Sequence, residues 1–115
     1  MDEILEITNP MLLGTGVIFI LMGLIMYIFP PKKINGLYGY RTSSSMESQE
    51  KWDFAQKYSA EIMVFIGIIL AIISLYRPYL GLDEDLDAIL GIFILLMTMI
   101  VLITIVEKKL KKIPL

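Results

Sequence analysis

Two uncharged apolar runs, Met11 to Phe29 and Ala88 to Val106, lie toward opposite ends of the chain, with a shorter one, Ile62 to Leu75, between them. The outer runs each approach the roughly 20 residues that a helix needs to cross about 30 Å of hydrocarbon. The middle run reaches that length when Tyr58, Ser59 and Ala60 extend it on one side and Tyr76 to Leu80 on the other, which places tyrosines at headgroup depth. The pattern predicts an all-α integral membrane fold: one domain over 1–115, with spans at about 11–29, 60–80 and 88–106 and a motif-bearing loop at 30–59. Asn9-Pro10 marks entry to the first span. Pro30-Pro31 ends it, because proline lacks an amide donor and disfavours helical backbone in the residue before it.

A compact polar island, Asn35 to Glu47, separates the first two runs. Ser44 stands three residues before Glu47, the spacing of a capping box, and predicts a helix from about Ser45. Trp52, Ala55, Ser59 and Ile62 recur at helical spacing, as do Phe54, Tyr58, Ile62 and Phe65, while Glu50, Lys51, Asp53 and Lys57 point elsewhere. That stripe predicts an amphipathic helix at the cytoplasmic interface running into the second span. Gly14, Gly16 and Gly23 on the first span, and Gly67 and Ala71 on the second, predict close backbone packing.

Composition places these runs in a bilayer, since 57% hydrophobic residues and a mean hydropathy of +0.73 are too apolar for a soluble domain of 115 residues. Net charge is only −2, but its distribution is uneven. Lys32, Lys33, Arg41, Lys51 and Lys57 follow the first span, and Lys108, Lys109, Lys111 and Lys112 follow the third; the other side has Arg77 beside Asp83, Glu84, Asp85 and Asp87. The positive-inside bias predicts an outward N-terminus and an inward C-terminus. The acids before the first run and the Tyr27-Ile28-Phe29-Pro30 after it do not resemble a cleavable signal, so that helix is expected to stay. The 83–87 acids lack EF-hand spacing and read as a solvated, helix-capping loop. The terminal lysines read as a topology anchor against anionic lipid. With no cysteine or histidine, disulfides, thiol and imidazole nucleophiles, thiolate or imidazole zinc sites and histidine-ligated haem are excluded, and no cofactor is expected.

The island holds the candidate chemistry. Gly36 and Gly39 free the backbone for a tight turn, and Asn35 hydrogen-bonds locally. Arg41 offers a planar fork of donors, and Thr42 to Ser45 add hydroxyls and amides at a helix N-terminus, an environment that suits an anion. A lipid phosphate, a peptide carboxylate, or an internal acid such as Glu47 or Glu61 fits that chemistry. Glu61 stands where the second run begins, a costly depth for an unpaired charge, with Lys57 and Arg41 as candidate partners.

The series Pro31, Ile34-Asn35, Tyr38-Gly39-Tyr40-Arg41-Thr42, Ser45-Met46, Glu50, Trp52 and Ala55-Gln56 resembles the signature of the SdpI family of bacterial membrane proteins. In that family a Gly-aromatic-Arg-Thr core precedes a Trp and an Ala-Asn or Ala-Gln. The resemblance covers roughly residues 11–106 and implies a bacterial cytoplasmic-membrane protein conferring immunity to a membrane-active peptide toxin. It also implies two partners besides the lipid bilayer, the toxin and a transcriptional repressor captured at the membrane, with no direct nucleic-acid contact. The best-known member is longer, with additional spans. On this reading Asn35, Gly36, Gly39, Tyr40, Arg41, Thr42, Ser45, Glu47, Trp52, Gln56 and Glu61 form the functional motif, and the protein is not an enzyme.

Two other classes remain open: a small transporter or membrane enzyme built around a polar cavity at Arg41, Glu47 and Glu61, and a membrane-embedded signalling or scaffold subunit. Three thin helices bury little surface alone, which also leaves a homo-oligomer open.

Overall fold

The computed structural model describes residues 2–114, which are helical with no strand among them. A short α1 (Asp2–Ile7) leads into α2 (Pro10–Ile28), and a long loop joins that to α3 (Gln49–Ile73). A 3-10 turn (Ser74–Tyr76) and α4 (Arg77–Leu80) then lead to α5 (Glu84–Leu110). Three helical stretches, Pro10–Ile28, Gln49–Leu80 and Glu84–Leu110, are long and apolar enough to cross a membrane.

Local chemistry sets these boundaries. The Asn9 side chain accepts from the Leu12 amide at 3.1 Å, and Pro10 occupies the first turn of α2, where a missing amide loses no helical bond. Asp83 caps α5 through the Leu86 amide at 2.8 Å. The entry to α3 differs from the expected one. Ser48, not Ser44, is the cap, accepting from the Lys51 amide at 3.1 Å, and the helix starts at Gln49 rather than about Ser45. The reason is local competition: the Ser45 hydroxyl accepts from the Thr42 amide at 2.8 Å and holds residues 42–46 in a turn, closed by Met46 N–H to the Thr42 carbonyl at 3.1 Å. Glu47, expected to close the box, pairs instead with Lys51 at 2.9 Å. From Gln49 the helix continues unbroken to Ile73.

Helices α2 and α3 form an antiparallel pair in close contact. A Cβ on Gly16 would lie 2.7 Å from the Gly67 carbonyl oxygen, one on Gly67 would lie 2.6 Å from that of Gly16, and one on Gly23 would lie 2.8 Å from that of Ala60. Glycine is what lets these backbones meet. Gly14 takes no part, having open space around it. Helix α5 leans more lightly on the pair, along a stripe that buries Gly91, Leu102, Val106 and Leu110.

Polar contacts join α5 to the rest of the chain at both ends of this stripe. At the N-terminal end of the bundle, Asp87 is buried; its carboxylate accepts from the Tyr76 hydroxyl and lies 3.5 Å from the Arg77 guanidinium. Asn9 donates to the Tyr76 hydroxyl at 3.0 Å and to the Asp87 carbonyl at 2.9 Å, and Arg77 donates to the Thr8 carbonyl at 3.1 Å. The expectation of a wholly solvated 83–87 loop is therefore corrected. Asp83, Glu84 and Asp85 are exposed, whereas Asp87 turns inward because the half-buried Tyr76 and Arg77 offer it partners.

Candidate functional site

The loop between α2 and α3 is fastened at the other end of the bundle by its own side chains, by side chains of α3 and α5, and by backbone carbonyls just past the end of α2. Asn35 makes the first turn, its side-chain oxygen accepting from the Leu37 and Tyr38 amides at 2.9 and 2.8 Å. The Tyr38 hydroxyl ties that turn back to the last residue of the α2 exit, donating to the Phe29 carbonyl at 2.9 Å. Gly39 follows at φ +108, a conformation that disfavours any side chain, and a Cβ there would press on the Gln56 side chain and lie 2.7 Å from Pro31 Cγ.

That close approach lets Gln56 grip the next residue by both backbone groups. Its Oε1 accepts from the Tyr40 amide and its Nε2 donates to the Tyr40 carbonyl, each at 2.7 Å. One turn earlier, the fully buried Trp52 donates its indole N–H to the Pro31 carbonyl at 2.7 Å. The third fastening comes from α5: a single carboxylate oxygen of Glu107 accepts from the Tyr40 hydroxyl at 2.9 Å and from the Thr42 hydroxyl at 3.0 Å. Burial, followed by the hydrogen bond to Glu107 and that carboxylate's charge, holds the Tyr40 phenol above its ordinary value near 10, and the Thr42 contact opposes this in part. Ser45 completes the turn, its amide donating to the Thr42 hydroxyl at 3.1 Å.

The remaining candidates lie apart. Arg41 is exposed and donates to the Gly36 carbonyl, also exposed, rather than to a carboxylate. Glu61 is exposed on α3, makes no ion pair among the described residues, and lines a shallow cleft with Lys57 and Tyr58. Arg41, Glu47 and Glu61 form no hydrogen bond or ion pair with one another among the described residues, so the polar grouping expected of them is not assembled. Lys51, expected on the polar face, is buried except for about 7% of its surface, because Glu47 neutralises it there.

Two residues of these polar clusters escaped the reading of the island, Glu107 and Asp87. The signal for both was position: they are the charges immediately flanking the uncharged run Ala88 to Val106.

Chemically, the arrangement is a preorganised loop. Its backbone polar groups are fixed from inside, while Leu37, 92% exposed, and Arg41 stand on its surface. Three membrane-length apolar helices with such a loop fastened across one end define a small multi-pass membrane protein. The model of the SdpI/YfhL protein family matches residues 32–107, and with that the chain belongs to this family. It is also 37% identical over 100 residues to the "Uncharacterized protein YfhL" of Bacillus subtilis (strain 168), an alignment covering 87% of this chain and 84% of that one. No solved structure matches.

Proposed function

We propose that the chain is a resistance protein of the SdpI type, protecting a bacterial cytoplasmic membrane from a membrane-active peptide by binding rather than by catalysis. In this reading the loop faces the cytoplasm, the N-terminus lies outside and the C-terminus inside. One observation carries the proposal. Residues of the family signature, Pro31, Asn35, Tyr38, Gly39, Tyr40, Thr42, Ser45, Trp52 and Gln56, fasten the loop, and Arg41, the signature's one charged residue within that loop, is exposed on it. A loop fixed in advance loses little freedom when a partner docks, which favours recognition. The partner side suits a carboxylate, whether on a peptide toxin or on a captured repressor, because the guanidinium fork matches two oxygens at once.

The test is survival of a toxin-sensitive bacterium that expresses the chain, challenged with a secreted membrane-active peptide and normalised to membrane abundance. The wild-type chain should raise survival. Arg41→Lys should lose most of that protection while inserting normally, since an ammonium keeps charge but loses the fork. Lys33→Gln, at an exposed site, is the control. Failure of the wild-type chain to protect would overturn the resistance reading, and full protection by Arg41→Lys would remove the fork from it.

A further inference from the structure

We propose that the cleft between the loop end of α2 and the first turns of α3 is a binding site for an anionic phospholipid, with the phosphodiester at its rim and an acyl chain along its base. The cleft encloses about 540 Å³, within the range of sites that hold small ligands. Its floor is formed by the buried Met26, Pro31 and Gln56. Tyr27 and Pro30 form an apolar wall continuous with Ile28 and Phe29, whose side chains are largely exposed on the same helix end. That surface belongs to the last turn of a membrane-length helix, where hydrocarbon gives way to headgroups.

The rim carries the complementary charge. Lys32 and Lys57 both line the cleft, both are exposed, and neither forms an ion pair among the described residues. The lining has one carboxylate, Asp53, which accepts from Gln49 Nε2 at 2.7 Å. The same amide donates to the Lys32 carbonyl at 2.6 Å and so ties the backbone bearing Lys32 to the helix bearing Lys57. Two lysines against one aspartate leave the lining with one net positive charge, which matches the single negative charge of a phosphodiester. A soluble anion would satisfy the lysines but leave Met26, Pro31 and the apolar wall uncovered; a phospholipid covers both.

Trp52 is the chain's one tryptophan, and its indole is bonded to Pro31 in the cleft floor, so its fluorescence reports on the site. The full chain is reconstituted in phosphatidylcholine vesicles containing brominated phosphatidylglycerol or, separately, brominated phosphatidylcholine, and quenching is compared. The anionic lipid should be preferred roughly fivefold or more, about the effect of one lysine near a membrane surface. Lys32→Gln with Lys57→Gln should bring the preference to about one, while Lys111→Gln with Lys112→Gln should leave it in place. Asp53→Asn should increase it, a gain that a folding defect does not produce. Soluble glycerol phosphate should leave quenching unchanged. Equal quenching of the wild type by both lipids overturns the proposal, as does a preference that survives loss of Lys32 and Lys57, one that follows Lys111 and Lys112 instead, or displacement by glycerol phosphate.

Discussion

Replacing Gln56 by leucine isolates what the amide clamp contributes. Leucine is similar in size and apolar, so it fills the buried site but offers Tyr40 neither an acceptor nor a donor. The Tyr40 carbonyl retains the Ser45 hydroxyl at 3.3 Å, whereas the Tyr40 amide has no second partner among the described residues. The carbonyl bond contributes about 1 kcal/mol net, and an orphaned, partly buried amide costs about 1–3 kcal/mol. Gln56→Leu should therefore weaken the fastened state of the loop by roughly 2–4 kcal/mol, and amide exchange at residues 38–46 should accelerate roughly 30- to 1000-fold if those amides open as one local unit. Residue-resolved hydrogen exchange in detergent micelles measures this, with α2 as the internal reference. Unchanged protection at Tyr40 would show that the clamp contributes nothing. An equal loss of protection along α2 would show that Gln56 supports the whole bundle rather than the loop.

Gly67→Val should cost about 1–3 kcal/mol in thermal unfolding, because its Cβ meets the Gly16 carbonyl and must push α2 and α3 apart; Gly14→Ala, with open space around it, should be neutral or slightly stabilising. Asp87→Ala should cost about 2–4 kcal/mol by leaving Arg77 and Tyr76 without their carboxylate, and Asp87→Asn, which keeps an acceptor, should lose less; equal losses would refute the charge argument. The Tyr40 phenol is neutral when protonated and its folded pKa lies above the unfolded value near 10, so its contribution is intact below pH 10 and is lost as pH rises toward the folded value. Ultraviolet phenolate titration of wild type minus Tyr40→Phe should show ionisation above the range of an ordinary tyrosine, and a difference signal centred near 10 would contradict this.

The helical architecture was legible because its determinants are local or periodic: charge-free runs of spanning length, prolines at the α2 boundaries, and small residues where α2 meets α3. The Ser44–Glu47 spacing misled because two overlapping serine-based signals compete within a few residues. Ser45 bonding back to Thr42 decides between them, and only the folded turn reveals that. Likewise, the signature residues could be picked out, but not what each one grips. Gln56 reaches Tyr40 across 16 positions, and Glu107 reaches Tyr40 and Thr42 across 67 and 65. Contacts of that separation depend on how α5 sits against the hairpin, which no local pattern encodes. Helical spacing sets Lys51 off the apolar stripe, whereas its pairing with Glu47 permits burial.

Asp87 and Glu107 stand twenty residues apart on one continuous helix, a rise of about 30 Å. That distance equals the thickness of a typical hydrocarbon core. Each carboxylate is held by a tyrosine hydroxyl on another part of the chain, so α5 works as a gauge whose two marks are pinned to the rest of the molecule. In a bilayer that much exceeds this thickness, one of the marks would be drawn toward hydrocarbon. In a thinner one, the apolar stretch between them would have to tilt, and the tilt would strain both hydroxyl contacts. The length of the surrounding acyl chains would then bear on the Glu107 contact, and through it on the loop that Tyr40 and Thr42 anchor.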